Sequence, residues 1–218
     1  MRYTYAFFDL DGTLTDSVVG IAHSVQYALR KFGIEPPPER ELKAFVGPPL
    51  TQSFSRFFGM DDDQSRTAVD YYREYYRAKG MLENEVYEGI PSLLEALNAR
   101  GVICVLATCK PTVFAEQILS HFGLDRSFAL ISGPELDGTR GEKHEVIAHA
   151  IERLSISDPR SILMIGDRDN DVLGASHHGI DCAGVLWGFG SKEELQKAGA
   201  KYLVASPWDV LSLFEVKK

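Results

Sequence analysis

Six short, near-continuous apolar runs limit what this chain can fold into: Ala6–Phe8, Val102–Ala107, Phe128–Ile131, Ile162–Ile165, Cys182–Leu186 and Tyr202–Val204. A strand solvated on one face alternates polar with apolar residues, so unbroken runs belong to strands buried on both faces. Between them lie helical patterns that stop at glycine: Ile90–Arg100 before Gly101, Val113–Phe122 before Gly123, and Asp171–His178 before Gly179. Within Lys143–Leu154, Val146, Ile147, Ala150 and Ile151 share helical spacing. The alternation predicts an α/β fold, a doubly wound parallel sheet, with ligands outside the carboxyl ends of the strands.

One interval breaks the pattern. After Phe8 the next apolar run starts only at Val102, whereas a strand-to-helix loop takes about 2–6 residues. The interval must carry structure of its own. Val18, Ile21, Ala22, Val25, Ala28, Leu29 and Phe32 recur at helical spacing before Gly33, and "EPPPERELKAF", "TQSFSRFF" and "QSRTAVDYYREYYRAKG" read as further helices. The expectation is a small all-helical cap, residues 17–88, inserted as a lid into a catalytic core of residues 1–16 and 89–218.

Carboxylates crowd two of the strand ends. "AFFDLDGTLTDS" places Asp9 and Asp11 after the first run, and "MIGDRDNDV" places Asp167, Asp169 and Asp171 after the fourth. If three such groups converge within about 4 Å at an effective dielectric near 20, each like-charge pair costs about 4 kcal/mol. Three pairs would consume most of a domain's net stability of about 5–15 kcal/mol. Either a proton is retained or a hard cation sits among them, and an oxygen-only donor set favours magnesium. Groups for an anion stand nearby: Thr108 ends its strand in "LATCKPT" with a hydroxyl, and "GEKHEV" puts Lys143, a fixed positive charge, near the start of a helix. Donors and one cation beside carboxylates and a metal suit a phosphoryl group, whose oxygens need charge compensation from several sides.

The composition narrows the partners. With 31 acidic against 23 basic residues the formal charge is −8, and no basic block marks a phosphate-backbone footprint, so long nucleic acid is not expected. Three cysteines without C-x-x-C spacing point to neither a disulfide framework nor a zinc site. No apolar stretch approaches the roughly 20 residues that span a bilayer, and no signal-peptide pattern opens the chain. The expected setting is the cytoplasm, away from membranes, with a small phosphorylated metabolite as partner and a monomeric or homodimeric state.

The ordered set "DLDGT", "ATCKPT", Lys143 and "GDRDND" resembles the haloacid dehalogenase superfamily, in particular its phosphoglycolate phosphatase-like members with a helical cap after the first strand. The resemblance implies a Rossmann-like core and a covalent mechanism. Asp9 would attack phosphorus, and Asp11 would protonate the leaving alkoxide and then deprotonate water. Crowding would push Asp11 toward its protonated form. Magnesium would be held by Asp9, the Asp11 carbonyl and Asp167, with Asp171 supporting from behind. Thr108 and Lys143 would cradle the phosphoryl oxygens, Lys143 also restraining Asp9. Gly12 would permit the turn, and Thr13 would bolster Asp11 beside the substrate. The implied activity is hydrolysis of a small phosphate monoester, nominally phosphoglycolate; alternatives are a nucleoside 5′-monophosphate and a sugar phosphomutase.

Several features have plainer readings. Asp16 with Ser17 reads as a cap for the first cap helix, and Tyr71, Tyr72, Tyr75 and Tyr76 in "YYREYY" have the spacing of a packing face, with base stacking in reserve. In "FVGPPL", Gly47 either makes a rigid turn or admits substrate by close backbone approach. Lys110 either reaches substrate or merely starts the next helix. Cys109 reads as a small space-filling side chain rather than a redox switch.

Overall fold

The computed structural model describes residues 3–214, so residues 1–2 and 215–218 of the predicted core lie outside the described residues. In chain order the elements are β1 (Tyr5–Phe8), β2 (Thr15–Asp16), α1 (Val18–Lys31), α2 (Leu50–Phe58), α3 (Asp62–Ala78), β3 (Glu85–Val86), α4 (Ile90–Ala99), β4 (Ile103–Ala107) and α5 (Thr112–His121). They continue with β5 (Leu130–Ser132), α6 (Lys143–Arg153), β6 (Ile162–Gly166), α7 (Asp169–His177), β7 (Asp181–Val185), α8 (Lys192–Ala198), β8 (Tyr202–Val204) and α9 (Pro207–Ser212). The chain divides into two compact units, Met1–Thr15 with Val86–Lys218, and Asp16–Glu85.

The first unit holds a six-stranded sheet in the order β5-β4-β1-β6-β7-β8, with all neighbours parallel. The chain builds outward from β1 through β4 to β5, then crosses to β6 and builds the other way. The order therefore reverses between β1 and β6, the place where open α/β sheets bind ligands. Both strands that end in aspartates flank that point. Phe7, Val105, Ala107 and Met164 pack against Val146, Ile147 and Ala150 of α6, Val172 and Ala175 of α7, and Leu195 of α8 in one buried cluster. Burial on both faces is what the unbroken apolar runs require.

Two α-helices were not expected from the sequence, α8 and α9, nor were the two-residue strands β2 and β3. Each helix is too short to show a helical period, and α8 buries only Leu195. Their signals are caps instead: Ser191 accepts from Glu194 N–H, and Ser206 forms a capping box with Asp209 just before Pro207.

In the second unit, α1 buries Ile21, Ala22, Val25, Ala28 and Leu29, and α3 buries Ala68, Val69, Tyr72 and Tyr76. Asp16 Oδ1 accepts from Val18 N–H at 3.1 Å and so caps α1. Asp61 and Gln64 close a capping box at the start of α3. The predicted helix over "EPPPERELKAF" is not formed; two single 3₁₀ turns, Glu39–Glu41 and Lys43–Phe45, stand there instead. Three consecutive prolines withhold the N–H groups a helix needs, and Pro38 is extended, with ψ 150°. The tyrosines pack: Tyr72 and Tyr76 are buried and stacked at 5.3 Å, while Tyr71 and Tyr75 lie against Phe32 and Tyr27. Among the described residues no helix is long and apolar enough to cross a membrane.

Candidate active site

Asp9 leaves β1 with its N–H donating to Ile165 O at 2.9 Å, so its backbone is tied to β6. The chain then turns sharply. The N–H groups of Thr13, Leu14 and Thr15 all lie within 3.2 Å of Leu10 O, and Gly12 takes φ 81°, open to a residue without Cβ. Asp167 follows β6 and is fully buried. Asp171 lies in the first turn of α7, also fully buried, its Oδ2 accepting from Arg168 N–H at 3.1 Å. Asp9, Asp167 and Asp171 each offer an oxygen within 4.8 Å of the others.

One cation stands among them. Lys143 Nζ donates to Asp9 Oδ1 at 2.9 Å and to Ala107 O at 2.9 Å, and pairs with Asp171 Oδ1 at 2.7 Å. An ammonium has three donors; two are hydrogen-bonded here, to Asp9 and Ala107, and Asp171 Oδ1 faces the group as an ion pair. Lys143 thus holds the Asp9 carboxylate through one donor and the end of β4 through another, beside Asp171.

The electrostatics follow from burial and this imbalance. Burial, with the charges of Asp171 and Asp9, pushes the Asp167 carboxyl well above the usual carboxylate range. Burial also raises Asp171, to about 6, against the pull of Lys143. Burial alone would lower Lys143, but Asp171 and Asp9 reverse that and hold it well above an ordinary lysine. Three buried carboxylates facing one ammonium fit a hard divalent cation, because positive charge placed there relieves repulsion that solvent cannot screen.

Asp11 is not part of this crowd. Its Oδ2 pairs with Lys110 Nζ at 2.9 Å, while its Oδ1 is buried without a hydrogen-bond partner. The like-charge crowding expected for Asp11 falls on Asp171 instead. Thr13 also differs from expectation: it is fully buried, and its hydroxyl donates to Asp167 Oδ1 at 3.4 Å rather than to Asp11. The Gly12 turn swings Thr13 toward the end of β6. Thr108, buried after β4, accepts from Lys110 N–H at 3.1 Å, which leaves its own O–H as a donor. Burial pushes the Cys109 thiol to about 12, far from the thiolate at neutral pH. Gly47 lies in the second unit, exposed, at φ 104° in the turn before α2.

One contact had no counterpart in the sequence reading: Phe189 N–H donates to Asp167 Oδ2 at 2.8 Å. Its only sequence signal is the pair of glycines around an aromatic residue in "WGFG", just beyond an apolar run.

A family model described as haloacid dehalogenase-like hydrolase matches residues 6–185. The chain is 50% identical over 196 residues to a 5'-nucleotidase of Pseudomonas aeruginosa, covering 90% of this chain and 88% of that protein. It is 42% identical over 191 residues to the tyrosine-protein kinase PtkA of Mycobacterium tuberculosis, covering 87% of this chain but only 64% of that one. Over 189 residues it is 30% identical to a phosphoglycolate phosphatase of Neisseria gonorrhoeae, covering 84% and 80%. The crystal structure of a predicted phosphatase from Clostridium acetobutylicum superposes with a TM-score of 0.93 at 48% identity, covering 98% of each chain.

Proposed function

The chain belongs to the haloacid dehalogenase-like hydrolases, as a phosphoric monoester hydrolase, and from that premise we propose a magnesium-dependent phosphatase that works through an aspartyl-phosphate on Asp9. The likeness to a 5'-nucleotidase over nearly the whole chain favours a nucleoside 5′-monophosphate over phosphoglycolate as substrate.

The observation that carries the mechanism is the Lys143–Asp9 contact at 2.9 Å. Lys143 fixes Oδ1, which leaves Oδ2 as the attacking oxygen. Asp9 Oδ2 forms the new bond to phosphorus as the ester P–O bond breaks. Asp11 gives its proton from Oδ1, the oxygen without a partner, to the departing alkoxide. In the second half, Asp11 takes a proton from water, whose oxygen displaces Asp9 and releases inorganic phosphate. The Thr108 hydroxyl donates to a phosphoryl oxygen. Asp9, the Asp11 carbonyl and Asp167 would hold magnesium, whose chemistry when bound is to neutralise charge on the phosphoryl oxygens. Asp171, which pairs with Lys143 through Oδ1 and accepts from Arg168 N–H through Oδ2, would support the site from behind.

Phosphate release should be measured across nucleoside monophosphates, phosphoglycolate and sugar phosphates, with Asp9→Asn and a chelator as controls. Asp9→Asn should lose at least about 10³-fold in turnover, roughly 4 kcal/mol of barrier. Activity lost to chelator should return with magnesium. Wild-type turnover by Asp9→Asn would remove the nucleophile assignment, and faster hydrolysis of phosphoglycolate than of every nucleotide would reverse the substrate order.

A further inference from the structure

We infer that the loop after β7, Leu186–Gly190, is the positioning device for Asp167, presenting Oδ1 to a divalent cation by holding Oδ2. The inference rests on the proposed role of Asp167 as a metal ligand.

Three hydrogen bonds join the loop, the turn after β1 and Asp167 into one clasp. Phe189 N–H donates to Asp167 Oδ2 at 2.8 Å. The Trp187 indole N–H donates to Thr13 O at 3.1 Å. The Thr13 hydroxyl reaches Asp167 Oδ1 at the longer distance of 3.4 Å. The stronger bond fixes rotation of the carboxylate, and the weaker one leaves Oδ1 with lone-pair capacity for a cation. Trp187 ties the two flanking segments to each other.

The glycines of this loop have no conformational need. Neither Gly188 nor Gly190 is among the positive-φ glycines, so either backbone would accept a side chain. Space is what they lack. A Cβ on Gly188 would overlap the Gly12 carbonyl and Asp167 Cβ, and one on Gly190 would overlap the Asp167 carbonyl oxygen. From the other side a Cβ on Gly12 would overlap Asp167 Oδ2. Three separate close approaches converge on one residue, and interiors packed this tightly transmit small displacements. The donors on Asp167 are also neutral, so the clasp orients the carboxylate without supplying the positive charge that would displace a cation.

The test measures manganese binding, by the EPR signal of the free ion, to the full-length protein and to Gly188→Ala, Trp187→Phe and Asp167→Asn, with thermal melting of each in chelator. Groups that orient a metal ligand typically govern about 10–100-fold in affinity. Gly188→Ala should bind at least about tenfold more weakly, and Trp187→Phe, which keeps the ring and loses only the N–H, a few-fold more weakly. In both, saturating metal should restore most of kcat, which general damage to the fold would not allow. Wild-type affinity in Gly188→Ala and Trp187→Phe, with binding lost in Asp167→Asn, would overturn the clasp and leave the metal reading standing. Wild-type affinity in Asp167→Asn would overturn both. If Gly188→Ala does not melt cooperatively, Trp187→Phe decides, and unchanged affinity there overturns the inference.

Discussion

The Lys110 ammonium lies 2.9 Å from Asp11 Oδ2, and the two side chains are only 5% and 15% exposed. Asp11 therefore meets a positive charge in the structure, while the negative crowding falls on its neighbours. Lys110→Met strands the carboxylate in a partly dry site. A buried pair that loses one member costs about 3–5 kcal/mol, and the exposure of Asp11 places this case at or below the lower end. Turnover should fall about tenfold through kcat rather than KM, because Asp11 loses the contact that orients it for both proton transfers. A loss carried by KM with kcat unchanged would assign Lys110 to substrate binding instead.

Lys143→Met removes the one cation shared by Asp9 and Asp171. Urea unfolding at pH 7 should show a loss of about 3–5 kcal/mol. Part of that loss should be regained on acidification. Asp167 and Asp171 take up protons at higher pH when folded than when unfolded, so apo-protein stability falls as pH rises from about 4 through 6. Without Lys143 pulling against it, this slope should steepen. A deficit of the same size at pH 5.5 and pH 8 would contradict the account.

His23 gives the same sign of pH dependence to a different part of the chain. Its Nδ1 lies 2.9 Å from Glu83 Oε2 and its Nε2 2.9 Å from Glu39 Oε1, with Tyr75 O–H also on Glu83. Burial alone would lower His23, but the two glutamates outweigh it and hold it above the usual histidine value. The stabilisation is thus fully present below about pH 6.5 and is lost as pH rises through the raised folded value. In His23→Gln this contribution should vanish. The check is the difference between wild-type and variant melting temperatures at pH 6 and pH 8: it should be larger at pH 6.

Tyr72→Ala separates packing from base recognition. Removing a buried, stacked ring should cost about 3–5 kcal/mol while leaving the KM for nucleotides unchanged in whatever fraction stays folded. A large rise in KM with little change in urea midpoint would return the tyrosines to substrate contact.

The sheet was legible because burial on both faces leaves an unmistakable trace, and each of its six strands lies within two residues of an apolar run. Asp9, Asp11, Thr108 and Asp167 are candidates because they follow strand ends against an apolar background, and Lys143 because it opens a helix. Partners were harder to read. Nothing in the spacing says that Lys110 would meet Asp11, that Thr13 would face Asp167, or that Lys143 would donate to Ala107 O. The Thr13 pairing depends on which side a turn takes, and Gly12 takes it with a backbone angle that leaves no periodicity behind. The Phe189 contact was hidden for another reason: a main-chain N–H is the same in every residue but proline.

Where the chain departs from the sheet and where it returns, Tyr87 N–H donates to Leu14 O at 3.1 Å. The two ends of the excursion are thus held together by the sheet-bearing unit itself. For lineages descending from such a chain, this makes the excursion replaceable. A longer, shorter or differently folded insert spans the same short gap, and the entropic cost of closing a longer loop grows only with the logarithm of its length. One segment can then be exchanged while the residues at the strand ends are inherited unaltered.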